Sequence, residues 1–392
     1  MNELKYFFTI LCLIFVNMHL QSQQLPPVKI GAECTAEYYP LLEGKRVAVM
    51  SNNTGMVGDE HLVDVLKRNG INLSVIFAPE HGFRGTADAG EHVSNTKDEK
   101  TGAPILSLYD GTSGRPSAES MKMFDLMIID IQDVGLRFYT YYITMFRLMD
   151  ACAEHGKKLI VLDRPNPNGH YVDGPILDMK HKSGVGWLPV PVVHGMTLGE
   201  LARMINGERW LPENRSCDLV VVKCLNYTHQ TMYHLPVAPS PNLPNMKSVY
   251  LYPSTCLFEG TVMSLGRGTD FPFQVYGHPA MKGCSFSFTP RRVAGAKNPP
   301  LLNKLCYGTD LRNVPEKEIW DNGFDLSYII DAYNNLKMGD KFFTSFFEKL
   351  VGVDYVRKMI IDGKTAADIK ILWHDDVEKF KKQRRQYLLY DE

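Results

Sequence analysis

Leu73-Ser-Val-Ile-Phe-Ala-Pro-Glu-His-Gly-Phe-Arg-Gly85 is the stretch whose reading decides the fold. Leu73–Phe77 is short, apolar and partly β-branched, the pattern of a buried strand. Pro79 stops it. Glu80, His81 and Arg84 then crowd into the six residues from Pro79 to Arg84, flanked by Gly82 and Gly85. Glycine lets a backbone turn sharply or approach a ligand closely. Titratable side chains gathered at a strand end are costly in a core and common in a site.

The same alternation extends on both sides. Arg46–Ser51 reads as the first core strand. A helix is expected over Asp59–Asn69, with Leu62, Val63, Val65 and Leu66 apolar and Gly70 as its stop. Ile105–Leu108, Asp125–Ile131 and Lys158–Leu162 read as further strands, with helices over Ser117–Met123 and Tyr139–His155 between them. Near-continuous apolar strands alternating with helices predict an α/β fold. Its core is a Rossmann-like doubly wound, mostly parallel sheet covered on both faces. Such sheets bind ligands outside the carboxyl ends of their strands. The residues following those ends are Asn52-Asn53-Thr54, Pro79-Glu80-His81, Tyr109-Asp110, Gln132-Asp133 and Asp163-Arg164-Pro165-Asn166. The topology would make them neighbours along one rim.

From about Val193 the pattern loosens. Thr197 caps a helix over Leu198–Asn206, with Glu200 completing a capping box. Asp218–Leu225 is another strand. Ala238-Pro-Ser-Pro-Asn-Leu-Pro244 is too proline-rich for a helix or sheet interior. It is expected to carry the chain from a Rossmann-like domain over residues 23–237 to a smaller α+β domain over 238–392. Helices are expected at Leu326–Leu336, Lys341–Leu350 and Asp375–Arg385, and a strand at Cys284–Thr289.

Length and composition bound the function. The 392 residues are 44% hydrophobic and 22% charged, enough for a large core and two domains. Net charge is −1, without a basic stripe, so electrostatic nucleic-acid binding is not indicated. Lys5 precedes the apolar run Tyr6–Val16 and then Ser22, the pattern of a secretory signal peptide over residues 1–22. The run falls short of the ~20 residues that span a bilayer, so no stable membrane insertion is expected. Without Cys12 the cysteines are odd in number, show no C-x-x-C and read as small buried hydrophobes.

A dinucleotide fingerprint should follow the first strand, where Ser51-Asn-Asn-Thr-Gly-Met56 has one glycine. The phosphate-loop lysine motif, the G-x-S-x-G elbow and H-E-x-x-H are absent, so neither cofactor nor metal is expected. What remains is carboxylates beside arginines, tyrosines and asparagines, a set suited to carbohydrate.

Several long motifs then carry a resemblance. They are Pro79-Glu-His-Gly-Phe-Arg-Gly85, Asp130-Ile-Gln-Asp-Val-Gly-Leu-Arg-Phe-Tyr-Thr-Tyr141, Leu162-Asp-Arg-Pro-Asn-Pro167, Gly174-Pro175 and His194-Gly-Met-Thr-Leu-Gly-Glu-Leu-Ala202. Pro239-Ser-Pro-Asn242, Phe258-Glu-Gly-Thr261 and Gly266-Arg-Gly-Thr269 follow in the same order. The chain resembles the exo-β-N-acetylmuramidase family over roughly Gly44–Gly283. It departs at Ser254, where glycine is expected, and at Leu136, where alanine is usual. The resemblance implies release of N-acetylmuramic acid from the non-reducing ends of peptidoglycan fragments. It also implies a Rossmann-like domain and a smaller C-terminal domain with the active-site cleft between them, peptidoglycan-derived sugars as the partners, and Glu80 as catalytic.

The residues themselves leave roles open. Glu80 is a general acid, a base or a nucleophile; a general acid needs a raised pKa. Asp130, at a neighbouring strand end, either raises it or holds a turn. Glu259 either faces Glu80 across the cleft or caps backbone. The 2-acetamido group also allows substrate-assisted catalysis. Muramic acid differs from N-acetylglucosamine by a lactyl carboxylate, which a guanidinium reads best. Arg84, Arg137, Arg164 and Arg267 are the candidates, each with a loop-pinning alternative. His81, Gln132, Asp133, Tyr139, Asp163, Asn166 and Asn242 complete the candidate substrate-binding set. Tyr139, Tyr142, Ile143, Phe146 and Met149 recur at helical spacing, a stripe that places Tyr142 in the core, and His194 is expected to be structural. The rival reading is a non-catalytic binder of cell-wall sugars. A nucleotide-dependent oxidoreductase is disfavoured by the missing glycines.

Overall fold

The computed structural model describes residues 26–79, 83, 96–108 and 114–392. Glu80, His81 and Arg84 lie outside the described residues, as do Tyr109, Asp110 and the expected signal segment.

Among the described residues the first half of the fold carries nine strands: β1 (Val47–Ser51), β2 (Met56–Val57), β3 (Glu60–His61), β4 (Leu73–Ala78), β5 (Thr96–Lys97), β6 (Pro104–Ser107), β7 (Leu126–Asp130), β8 (Lys158–Leu162) and β9 (Asp218–Val222). Seven form one sheet, in the order β5-β6-β4-β1-β7-β8-β9. All its pairings are parallel except β5 with β6. Every residue of β1 and β7 is buried, as expected of a strand covered on both faces. Alternate residues serve opposite faces. Val47, Val49, Ile76, Ile128 and Ile160 pack with Tyr38, Leu42, Leu62 and Leu66. Ala48, Met50, Val75, Phe77, Met127, Ile129 and Val161 face the helices Tyr141–Glu154 and Leu198–Gly207.

Two helix starts differ from expectation. The helix expected from Asp59 begins at Leu62, because β2 and β3 form a small hairpin ahead of it. The His61 ring caps it, accepting from the Val63 N–H. The helix expected from Tyr139 begins at Tyr141, which takes Tyr139 off the helical stripe. Thr197 and Glu200 form the anticipated capping box.

The second half carries three more strands, β10 (Val275–His278), β11 (Phe286–Phe288) and β12 (Cys306–Asp310), as an antiparallel sheet ordered β10-β12-β11. Around it lie helices, among them Met246–Thr255, Ser327–Leu336 and Ala366–Arg384. Pro253 sits inside Met246–Thr255, and its neighbouring prolines hide that helix from a sequence reading. The helix expected over Lys341–Leu350 splits into a 3-10 turn at Gly339–Phe342 and a helix at Phe347–Val351. The last helix starts nine residues ahead of Asp375, since Ile369, Trp373, Val377 and Phe380 keep one buried stripe beneath its charges.

One apolar cluster runs from the sheet face through Leu243, Tyr250, Phe258 and Phe273 to Phe324, Phe347 and Trp373, so the halves share a core. The described cysteines are free thiols, all buried except half-buried Cys284. No helix among the described residues is long and apolar enough to cross a membrane.

Candidate active site

A pocket of about 150 Å³ opens where the two halves meet. The first half supplies Phe138, Tyr139, Thr140, Tyr141 and Val185; the second supplies Ser240, Asn242, Leu243, Tyr252, Glu259, Arg267 and Phe273. Four of the residues singled out from sequence therefore meet here: Tyr139, Asn242, Glu259 and Arg267.

Each is placed by local chemistry. Tyr139, freed from the helix, donates its hydroxyl to the Pro239 carbonyl at 2.7 Å and so ties the first half to the Pro239–Asn242 turn. Its ring stands edge-on to Tyr141 and Tyr252, at 5.0 and 6.1 Å between centroids. Tyr252 in turn meets Phe138 and Phe273 edge-on. Edge-to-face contacts of this kind hold rings rigidly. Burial pushes the Tyr139 and Tyr252 hydroxyls well above their ordinary pKa, so both rings stay neutral. Asn242 is held within the second half: its N–H donates to Ser240 Oγ, and its Nδ2 donates to the Gly295 carbonyl at 2.8 Å.

Glu259 lies in the 3-10 turn Cys256–Gly260, and Arg267 Nη1 donates to its Oε1 at 2.7 Å. Arg267 sits between Gly266 and Gly268, both at φ +83°. A Cβ on Gly268 would stand 2.5 Å from the Arg291 carbonyl, so glycine is required for this close turn. The side chains of Glu259 and Arg267 are 23% and 22% exposed, neither sealed nor solvated. The pocket thus offers one carboxylate and one guanidinium among aromatic rings.

Among the described strand-end residues, Asp130, Gln132, Asp133, Asp163, Arg164 and Asn166 do not line this pocket. Asp130 is wholly buried, and Arg164 grips it with Nε at 2.6 Å and Nη2 at 3.0 Å. Burial works against the Arg164 charge, but Asp130 outweighs it and holds the guanidinium above its ordinary pKa. Neither is open to a sugar. Arg137 is fully buried and donates to the carbonyls of Pro175, Val190, Leu350 and Val351, stapling the halves together. Burial lowers its pKa to about 10. Gln132 bonds the carbonyls of Asp133 and Pro165. Asn166 donates to the Met196 carbonyl and accepts from the Asn168 N–H. Asp163 accepts from Thr197 Oγ1, the Gly199 N–H and the Tyr390 hydroxyl, anchoring the N-terminus of Leu198–Gly207. Burial still raises its pKa to about 6.

Asp133 is a different case. It is buried, and its Oδ1 accepts from the Gly135 N–H at 2.7 Å, while among the described residues its Oδ2 has no partner. Burial pushes its pKa up to about 7. Tyr142 lies in the core with its hydroxyl on the Trp187 N–H. His194 is buried, bonded to the Met196 N–H, and burial pushes its pKa down to about 3.

The sequence reading missed Phe138, Thr140, Tyr141, Val185, Ser240, Leu243, Tyr252 and Phe273. Ser240 stands in a quoted motif next to Pro239 and carried a signal. Tyr252 and Phe273 are apolar residues that sequence cannot distinguish from core.

Known proteins show the same organisation. Models of the exo-β-N-acetylmuramidase NamZ match residues 47–247 for its N-terminal part and residues 250–390 for its C-terminal part. A peptidoglycan β-N-acetylmuramidase NamZ from Bacillus subtilis strain 168 is 37% identical over 391 residues, covering 94% of this chain and 93% of that protein. Crystal structures of two DUF1343 family proteins from Bacteroides fragilis are similar. One has a TM-score of 0.88 at 65% identity, the other 0.77 at 28%, and each match covers 93% of this chain and 99% of the other. Built on that fold, with both family halves matched in order, the chain belongs to the exo-β-N-acetylmuramidase family of glycoside hydrolases.

Proposed function

We propose that the protein is an exo-acting glycosidase that releases N-acetylmuramic acid from the non-reducing ends of peptidoglycan fragments during cell-wall turnover. The observation that carries this reading is the pocket shared by the two halves, where the Glu259–Arg267 pair stands among Tyr139, Tyr141 and Tyr252. Aromatic edges and faces hold a pyranose ring, and a guanidinium reads a carboxylate in two parallel hydrogen bonds.

Arg267 is the arginine assigned to the lactyl carboxylate. Arg137 and Arg164 are buried, and the bonds they make go to backbone carbonyls and to Asp130. Glu80 is assigned the catalytic role that the family resemblance gives it. With Asp130 sealed by Arg164, Glu259 is the carboxylate assigned to work with it. In that scheme one carboxylic acid protonates the leaving glycosidic oxygen while the other carboxylate, or the substrate's own acetamido oxygen, supports the anomeric carbon or deprotonates water. Residues 1–22 are assigned as a signal peptide, placing the mature enzyme outside the cytoplasm; the N-terminal mass of the purified protein checks the cut.

The activity test uses a chromogenic β-glycoside of N-acetylmuramic acid beside its N-acetylglucosamine analogue. Turnover confined to the first supports the assignment; equal turnover of both removes Arg267 from lactyl recognition. Glu80→Gln is expected to lower kcat at least ~10²-fold, the lower end for a positioned acid–base group. Near-normal turnover by that variant takes Glu80 out of the mechanism.

A further inference from the structure

The segment joining β11 to β12 is fastened to the pocket at two points. The Arg291 N–H donates to the Gly268 carbonyl at 2.8 Å, directly beside Arg267. The pocket residue Asn242 donates to the Gly295 carbonyl at 2.8 Å. Between these points Val293 and Ala296 exchange backbone hydrogen bonds, with Gly295 at φ +82° closing the turn. The result is a tight turn on the pocket rim. Two consecutive exposed arginines, Arg291 and Arg292, lead into it, with no ion pair among the described residues. The chain's net charge of −1 gives no general surplus of cations to explain them. Two unpaired cations on a segment fastened beside the pocket favour an anion brought to the rim.

We propose that Arg291 and Arg292 form a recognition rim for carboxylates carried by the glycan beyond the ring seated in the pocket, first of all the lactyl carboxylate of the next muramic acid along the strand. The inference rests on the proposed exo-muramidase activity. A pocket that takes a terminal ring obliges the rest of the chain to leave over its rim. In an alternating glycan the second muramic acid lies two rings out, whereas a disaccharide ends before it. The rim is premounted by its backbone bonds, so little ordering is needed on binding. Its charges act on exposed ground, where the attraction is modest, adds to the association rate and is screened by salt.

The test compares kcat/KM for the disaccharide MurNAc-GlcNAc and the peptide-free tetrasaccharide made of two such units, at low and high salt. Arg291→Ala/Arg292→Ala is expected to lower the tetrasaccharide value about 10-fold at low salt and to flatten its salt dependence, with the disaccharide changed less than about 2-fold. The double lysine variant is expected to keep the salt dependence. A peptide-substituted tetrasaccharide separates the two sources of carboxylate: a loss confined to it assigns the rim to stem-peptide carboxylates instead of the lactyl group. The proposal is overturned if the double alanine variant leaves every tetrasaccharide unchanged, or lowers disaccharide and tetrasaccharide equally. Disaccharide turnover by the unaltered protein judges the activity separately. Should that be nil, calorimetric binding of the tetrasaccharide still reads the rim: weaker binding by the variant supports it, and equal binding overturns it.

Discussion

Two regions of this molecule use the same residue types for opposite ends. Around the carboxyl ends of β7 and β8, Asp130, Asp163, Arg164 and Arg137 are sealed, and their hydrogen bonds go to one another, to backbone, to Thr197 and to Tyr390. At the meeting of the halves, Glu259 and Arg267 make one short contact and keep about a fifth of each side chain exposed. Titratable residues gathered at strand ends can therefore serve organisation alone, and partial exposure inside a pocket is what separates Glu259 and Arg267 from them. In the first region a buried charge without its partner is expensive. In the second, partial exposure leaves room for a substrate to exchange for a protein contact.

The sharpest way to break this contrast is to change one arginine in each region. Arg137→Met removes the guanidinium donor from four carbonyls, of which Val190 keeps the Leu177 N–H, at about 1 kcal/mol or more each. The expected loss is on the order of 4 kcal/mol, read as a lower urea midpoint. A stability loss under ~1 kcal/mol would show that Arg137 is not the staple between the halves.

Asp133 tests the sealed region through pH. Burial raises its folded pKa to about 7, against ~3.9 for an unperturbed aspartate. Between those values the folded state holds the proton more tightly than the unfolded chain, so this residue makes stability fall as pH rises from about 4 to 7. Asp163, raised to about 6, contributes in the same direction over the lower part of the window. Asp133→Asn is expected to remove a slope worth a few kcal/mol across that window and to stabilise the protein at pH 7. Urea unfolding at several pH values checks this; an unaltered slope would mean that Asp133 ionises freely.

The pocket change is the smallest in energy and the most selective. Arg267→Ala is expected to cost about 1.5–3 kcal/mol of muramic acid recognition, the range for a hydrogen bond to a charged group. That is roughly a 10- to 100-fold rise in KM. Stability should change by less than ~1 kcal/mol, because a half-exposed ion pair contributes little. A stability loss matching that of Arg137→Met would erase the distinction between the two regions.

Much of the frame was legible. Leu73–Ala78, Leu126–Asp130 and Lys158–Leu162 announce themselves because a strand covered on both faces must be apolar at every position. The capping box at Thr197 is equally local. Less legible were residues whose use depends on distant partners. Asp130 and Glu259 both looked like candidate catalytic acids. Arg164 arrives 34 positions downstream to close off the first, while the second keeps its opening. Tyr139 looked like part of a helical stripe and turned toward the pocket because Pro239, 100 positions away, accepts its hydroxyl.

By itself the sequence determined the α/β class, the strand order's raw material and the motifs that tie the chain to its family. These follow from periodicity, capping and turn chemistry, which act over a few residues at a time. Only the tertiary structure decided which arginine is a staple, which is a carboxylate's buried partner and which lines a pocket. That choice depends on desolvation and on hydrogen-bond partners brought from far along the chain, and neither is written at the position they act upon.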